Sequence, residues 1–434
     1  MVARYSESGA VRAHMPGHKG NGVLEKMDIT EISGADSLYE ACGIIAESER
    51  YAGNIFGAHT FYSTEGSSLC IRAMMALCAK FSGEKRPLIL AGRNAHKTFL
   101  SAVALLDLEV EWLTTDMDEG YLSCRVSADD VARALERAER PVAAVYLTSP
   151  DYLGNVCDIK GIAQVCHDRG VILAVDNAHG AYLKFLERSE HPIDLGADMC
   201  CDSAHKTLHA ITGAAYLHVS ASAPEELASD AKGAMALFGS TSPSYLILES
   251  LDRLNPYLSG RYRRDLAECI GKIDTMKERL VRAGYTLAGD EPLKVTIKTC
   301  EYGYTGLQMA SMLERKNIFC EFCDGEALVL MLSPDNGDGD IGRIEDALIS
   351  IPRRERLDVS PPRYISPKRA MSVREAMLSR SETLPVDECI GRVVSSQVAA
   401  CPPAVPVVVS GEIIDGNTVE RLKYYGIREC SVVI

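Results

Sequence analysis

The segment DSAHKTLHA (202–210) sets Lys206 between a histidine and a threonine, in a short polar turn flanked by apolar stretches. A solvated turn lysine does no chemistry. One held unprotonated by burial attacks carbonyl carbon, because desolvation lowers its pKa from about 10.4. Thirty residues earlier, VILAVDNAHGA ends an apolar run on Asp176, followed by His179 and Gly180. A carboxylate there is costly without a partner, which points to a metal, a ribose or a protonated ring nitrogen as well as to a structural ion pair. RNAHKT (93–98) puts His96 at the head of a helix, where its ring either caps the helix or lies over a flat ligand. YSTEGSS (62–68) opens an apolar helix. Free N–H groups at a helix start, close approach at Gly66 and the hydroxyls of Ser67 and Ser68 suit a phosphate dianion, or serve as an ordinary serine cap.

These clusters need a scaffold, and the pattern around them supplies one. From Phe61, short unbroken apolar runs (PLILAG, VEWLT, PVAAVYLTSP, VILAVD, GAAYLHVS) alternate with helical periodicity (GSSLCIRAMMALCAKFSG, HKTFLSAVALLD, ADDVARALERAE, DIKGIAQVCHDRG). Unbroken strands separated by helices predict an α/β domain whose mostly parallel sheet is covered on both faces. Ligands of such sheets sit beyond the carboxyl ends of the strands, where the four clusters fall. Residues 1–55 read as an N-terminal arm of loops and 56–285 as the large α/β domain. A smaller C-terminal α/β domain spans 286–434, with a Pro- and Arg-rich linker near 352–370 and a last strand–helix–strand segment.

Taken together, the clusters fit one ligand, pyridoxal phosphate (PLP). Lys206 would hold its aldehyde as a Schiff base and Asp176 would keep its ring nitrogen protonated. His96 would lie on the ring, and Ser67, Ser68 and Ser203 would take the phosphate. A net charge of −14 argues against nucleic acid or an anionic membrane as partner and suits a cationic small molecule. Fifteen scattered cysteines point to a reducing cytoplasm. The lone CxxC pair, Cys320 and Cys323, reads as two sides of a strand, so no metal is expected. No apolar run approaches the roughly 18 residues of a membrane span.

HMPGHKG, RNAHKT, DNAHGA and DSAHKTL, in that order, resemble the Orn/Lys/Arg decarboxylases of the fold-type-I (aspartate-aminotransferase-like) PLP class. DITEISGADSLYEACGIIAESERYAGNIFGA and PPAVPVVVSGEII extend the likeness over nearly the whole chain. The resemblance implies decarboxylation of lysine, arginine or ornithine to a diamine or agmatine, the kind of amine that feeds polyamine synthesis. It makes Lys206 the cofactor lysine, Asp176 the ring-nitrogen partner, Ala178 the residue beneath the ring, and His179 and His205 its flanks, with Lys206 or His205 as proton donor. It also implies a homodimer with the active site at the interface, an arm containing His14 lining it, and Glu412 as the acid for the cationic tail, with Asp36 and Asp151 behind it. The chain looks like the compact form without an N-terminal wing domain. Glu65 in the phosphate loop, Asn177 where an acid is usual, and PPAVP in place of a glycine-containing version depart from the pattern. Two other readings stand beside this one: an aminotransferase or aldolase on the same fold, for which Arg343 is a candidate carboxylate clamp, and a silent paralogue that only binds.

Overall fold

Seven short runs rich in apolar and β-branched residues pair into one sheet: β1 (Ala58–Ser63), β2 (Leu88–Gly92), β3 (Glu109–Leu113), β4 (Val142–Thr148), β5 (Ile172–Asp176), β6 (Met199–Asp202) and β7 (Ala215–Ser220). Their order is β1-β7-β6-β5-β4-β2-β3. Strands β6, β5, β4, β2 and β3 are mutually parallel, and β7 runs antiparallel to both its neighbours. The computed structural model describes residues 1–434 apart from 9–14, 16–18, 20–21, 23–24, 114–119 and 397–402. His14 therefore lies outside the described residues.

Alternation along the strands sends side chains to two cores. Ile89, Ala91, Tyr146 and Ala174 pack with the helices Gly66–Ser82 and Lys97–Leu106. Leu90, Val145, Leu173 and Val175 pack on the other face with the helix Ile159–His167. The fold is thus the α/β, mostly parallel arrangement read from the sequence. Beyond the helices Tyr245–Ser259 and Tyr262–Arg282 comes an antiparallel sheet of β8 (Leu287–Ala288), β9 (Lys294–Lys298), β10 (Phe322–Cys323) and β11 (Ala327–Met331), ordered β10-β11-β9-β8. Residues 352–368 carry no helix or strand.

Two expectations are corrected. The first 55 residues are not all loops, because Ile44–Phe56 forms a helix. Its inward face includes Ser48 and Glu49 beside Ile45, Ala52 and Phe56, and these polar positions break the apolar periodicity. Both are satisfied inside: Glu49 accepts from the Tyr62 N–H at 2.8 Å and pairs with Lys232, and Ser48 bonds Asp252 at 2.6 Å. The stretch AVPVVVS is buried but is not a strand. Proline at 403 and 406 supplies no N–H, and the carbonyls of Pro406 and Val407 accept from the Arg93 guanidinium instead of a ladder. The final β13 (Glu429–Val433) pairs with β12 (Ser381–Pro385).

Asp36 is the clasp of the N-terminal helix. Its carboxylate accepts backbone N–H groups of Cys42, Gly43 and Ile45 at 2.8–3.1 Å, groups that a helix start otherwise leaves unpaired. Those bonds hold its pKa below the ordinary value against the opposing effect of burial. Asp36→Ala is expected to cost about 2 kcal/mol of stability, read as a lower urea midpoint; an unchanged midpoint would refute the clasp.

Candidate active site

Where β4, β5 and β6 end, their following residues turn over the sheet edge and line a cavity of about 440 Å³. Register sets Asp176 level with Thr148 on one side and Cys201 on the other, so three chain segments leave the sheet together. Gly66, Ser67, Ser68, His96, Asp176, Ala178, His179, Ser203, His205 and Lys206 all line this one space. Sequence positions as far apart as Glu65 and Val405 meet there.

Lys206 lies in the single helical turn Ala204–Thr207 after β6. Its Nζ stands 3.0 Å from His179 Nε2. Burial lowers the pKa of the amine, with Asp176 opposing and Lys294 reinforcing the shift. Burial likewise drives His179 well below its ordinary value, helped by Lys206. A neutral ring accepting from the amine at Nε2 carries its proton on Nδ1, a buried atom with no partner among the described residues. Asp176 is buried and accepts from the Tyr146 hydroxyl and the Ala178 N–H, both at 3.2 Å, with Cys201 Sγ at 3.5 Å. Tyr146 in turn is stacked on Phe99 at 4.3 Å.

His96 caps the helix Lys97–Leu106, with Nδ1 accepting from the Thr98 N–H at 3.2 Å. Burial pushes its pKa down to about 4, with Asp176 opposing, so the ring is neutral at pH 7. It caps the helix and lines the cavity at once, so the two sequence alternatives are compatible. Ser203 donates to Ser67 Oγ at 2.9 Å, and Ser68 and Thr98 hydroxyls lie 3.2 Å apart. Gly66 opens the long helix at φ +67°, where a Cβ would stand 3.9 Å from His205 Cε1. His205 is anchored by Nδ1–H on the Ala214 carbonyl at 2.9 Å, and burial keeps it neutral by lowering its pKa. The cluster gathers hydroxyls and helix N–H groups suited to a dianion.

The departures from the motif pattern acquire reasons. Glu65 turns its Oε1 to the Ser240 N–H at 2.6 Å, engaging its charge outside the serine cluster. Asn177 donates Nδ2–H to Asp202 at 2.6 Å, a contact that a second carboxylate could not make. Ala404 of PPAVP lines the cavity at φ +59°, a conformation costing a non-glycine residue about 1 kcal/mol. Its carbonyl accepts the Lys97 N–H at 2.8 Å.

Other residues are not brought to the cavity. Glu412 accepts from Arg93 Nη2 at 3.2 Å and from the Val409 N–H at 2.7 Å, an interior ion pair that ties the last segment to the sheet and already has its cation. Asp36 serves the helix clasp. Asp151 fixes a turn, accepting the N–H groups of Leu153 and Asn155, both at 2.9 Å. Arg343 donates to the Lys316 carbonyl at 3.3 Å and does not line this cavity. Sequence reading missed Tyr152 and Glu321, which do line it, their side chains joined at 2.7 Å. Tyr152 had a signal, since TSPDY follows an apolar strand as DNAH follows β5. Glu321 had none, because only the tertiary fold sets β10 beside the sheet edge.

The sequence profile described as Orn/Lys/Arg decarboxylase, major domain, matches residues 1–289, and that of the C-terminal domain matches 354–430. The chain belongs to the Orn/Lys/Arg decarboxylase family. The family expectation, and with it an amino acid decarboxylase acting on a basic substrate, is met. The YaaO protein of Bacillus subtilis (strain 168) is 30% identical, covering 94% of this chain and 90% of its own. The arginine decarboxylase of the same strain is 28% identical, covering 98% and 91%. The crystal structure of the Francisella novicida lysine decarboxylase LdcF superposes at TM-score 0.82 with 15% identity, over 100% of this chain and 80% of that one. Orn/Lys/Arg decarboxylases thus share the fold described above.

Burial lowers the Lys206 pKa from the ordinary lysine value, which enlarges its neutral fraction at a given pH. Competitive acetylation with trace acetic anhydride, read by mass spectrometry, should give Lys206 a pH midpoint below that of the exposed lysines. A shared midpoint would contradict the lowered pKa.

Proposed function

We propose that the protein is a PLP-dependent decarboxylase of a basic amino acid, with Lys206 as its cofactor lysine. The observation that carries this is the buried amine of Lys206 and the buried carboxylate of Asp176 facing one cavity whose wall is a serine-rich helix start. The residues fit the cofactor. Gly66, Ser67, Ser68 and Ser203 would hold the phosphate, with His205 beside them. Asp176 would hold the ring nitrogen, His96 and Ala178 the two ring faces, and His179 the Lys206 side. The Thr148 hydroxyl is a further polar group on the cavity wall. When bound, PLP supplies an electron sink for the bond to the departing carboxylate.

The chain's own residues do the rest. Lys206 Nζ, whose pKa burial lowers, can act as nucleophile and proton carrier, and His179 Nε2 at 3.0 Å can exchange a proton with it. That contact favours Lys206 as proton donor over His205, whose Nδ1 is committed to Ala214. Tyr146 and the Ala178 N–H fix the orientation of Asp176.

An aminotransferase clamps the substrate carboxylate, whereas a decarboxylase must release it. No arginine lines the cavity among the described residues, which favours decarboxylation. The full-length relatives named arginine decarboxylase make arginine the first substrate to test. We further propose a homodimer whose partner covers the broad groove that runs from Lys206 past Ile211 to Tyr257. A cytoplasmic location suits the described cysteines, which are all free. Among the described residues, no helix is long and apolar enough to cross a membrane.

Incubation with PLP and, separately, arginine, lysine and ornithine should yield one amine, identified by mass spectrometry, and none with Lys206→Ala. An oxo acid in place of an amine would return the aminotransferase. Absence of both, with PLP bound, would return the silent paralogue.

A further inference from the structure

Three carboxylates line the cavity: Glu65, Asp176 and Glu321. Glu65 is engaged by the Ser240 N–H, and Asp176 by Tyr146, Ala178 and Cys201. Glu321 differs. Its Oε1 accepts the Tyr152 hydroxyl at 2.7 Å, and it forms no ion pair among the described residues. Its backbone is pinned, since the Glu321 N–H donates to the Val329 carbonyl in β11 of the second sheet at 2.9 Å.

Tyr152 is held from several sides. Asp151 ties the turn with its carboxylate, and its carbonyl accepts from Lys294 Nζ at 2.8 Å. The Tyr152 ring meets Phe322 edge-on at 5.4 Å and His179 at 5.1 Å. A continuous line of side chains thus runs along the cavity, from Lys206 through His179 and Tyr152 to Glu321. One end carries the amine that defines the reacting centre, and the other carries a rigidly aimed anion.

Resting on the decarboxylase reading, we propose that Glu321 is the specificity-determining anion that receives the substrate's terminal ammonium or guanidinium group, with Tyr152 as its positioning residue. A cation there gains a charge-assisted bond to the carboxylate that a neutral side chain cannot form. This assigns the selection for basic side chains to the second sheet rather than to Glu412.

Glu321→Gln keeps the acceptor for Tyr152 and removes only the charge. In the PLP-loaded enzyme it should raise KM for the preferred amino acid, and weaken calorimetric binding of its product amine, by roughly 10- to 150-fold. The fall in kcat should be smaller. Inhibition by norleucine, which lacks the cation, and the visible absorbance of bound PLP should match wild type. Tyr152→Phe keeps the ring and should raise KM by a smaller factor, and Glu321→Asp should recover part of the lost affinity. A KM and amine affinity within about twofold of wild type would overturn the assignment while leaving the decarboxylase reading intact. So would a parallel loss of norleucine binding, which marks a structural role. A wild-type enzyme that releases no amine from any of the three amino acids overturns the parent reading, and this inference falls with it.

Discussion

One buried carboxylate sets the geometry on which the cavity depends. Asp202 ends β6 with no exposure to solvent. Its Oδ2 accepts from His191 Nε2 at 3.0 Å and His218 Nε2 at 3.2 Å, and its Oδ1 from Asn177 Nδ2 at 2.6 Å. His218 Nδ1 accepts the Thr60 hydroxyl at 2.8 Å. Burial alone would raise the pKa of Asp202. His191 and His218 overcome that effect and hold it well below the usual range, so it stays an anion among N–H donors. This network joins β1, β7, the loop after β5 and the end of β6. Asn177 lies between Asp176 and Ala178, and Asp202 is followed by Ser203, His205 and Lys206. The two halves of the site are therefore locked to each other through a single charge.

Around that anchor the cavity disfavours positive charge on its bases. His96, His179, His205 and Lys206 all have pKa values lowered chiefly by burial. Each already has a hydrogen-bond partner that fixes its direction, so little reorganisation is needed when a ligand with complementary charges enters. Asp176 is oriented there by the Tyr146 hydroxyl and the Ala178 N–H. The smaller sheet closes the other wall with Glu321, while Arg93 and Glu412 bind the last segment to the edge of the large sheet.

The parts legible in the sequence were those that a buried parallel sheet writes into it. Strands covered on both faces must be apolar throughout, so polar residues at their ends stand out, and Asp176, Lys206 and the helix starts at Gly66 and His96 were found that way. The helix Ile44–Phe56 was not, because Ser48 and Glu49 on its inner face are stabilised by partners distant in sequence. The strand Ser381–Pro385 is largely exposed and carries no alternation to detect. Glu412 was expected as a pocket acid on the family resemblance, and its partner, Arg93, lies 319 residues away, out of reach of any local pattern. Asp202 and Glu321 illustrate the same limit, since their importance is a property of what the fold sets around them.

The most direct test of the account is where PLP attaches. Protein incubated with PLP would be reduced with borohydride, digested and mapped by mass spectrometry, so that the lysine holding the cofactor keeps a pyridoxyl group. The account predicts a single label, on Lys206. A label spread over surface lysines, or fixed on another lysine, would contradict it.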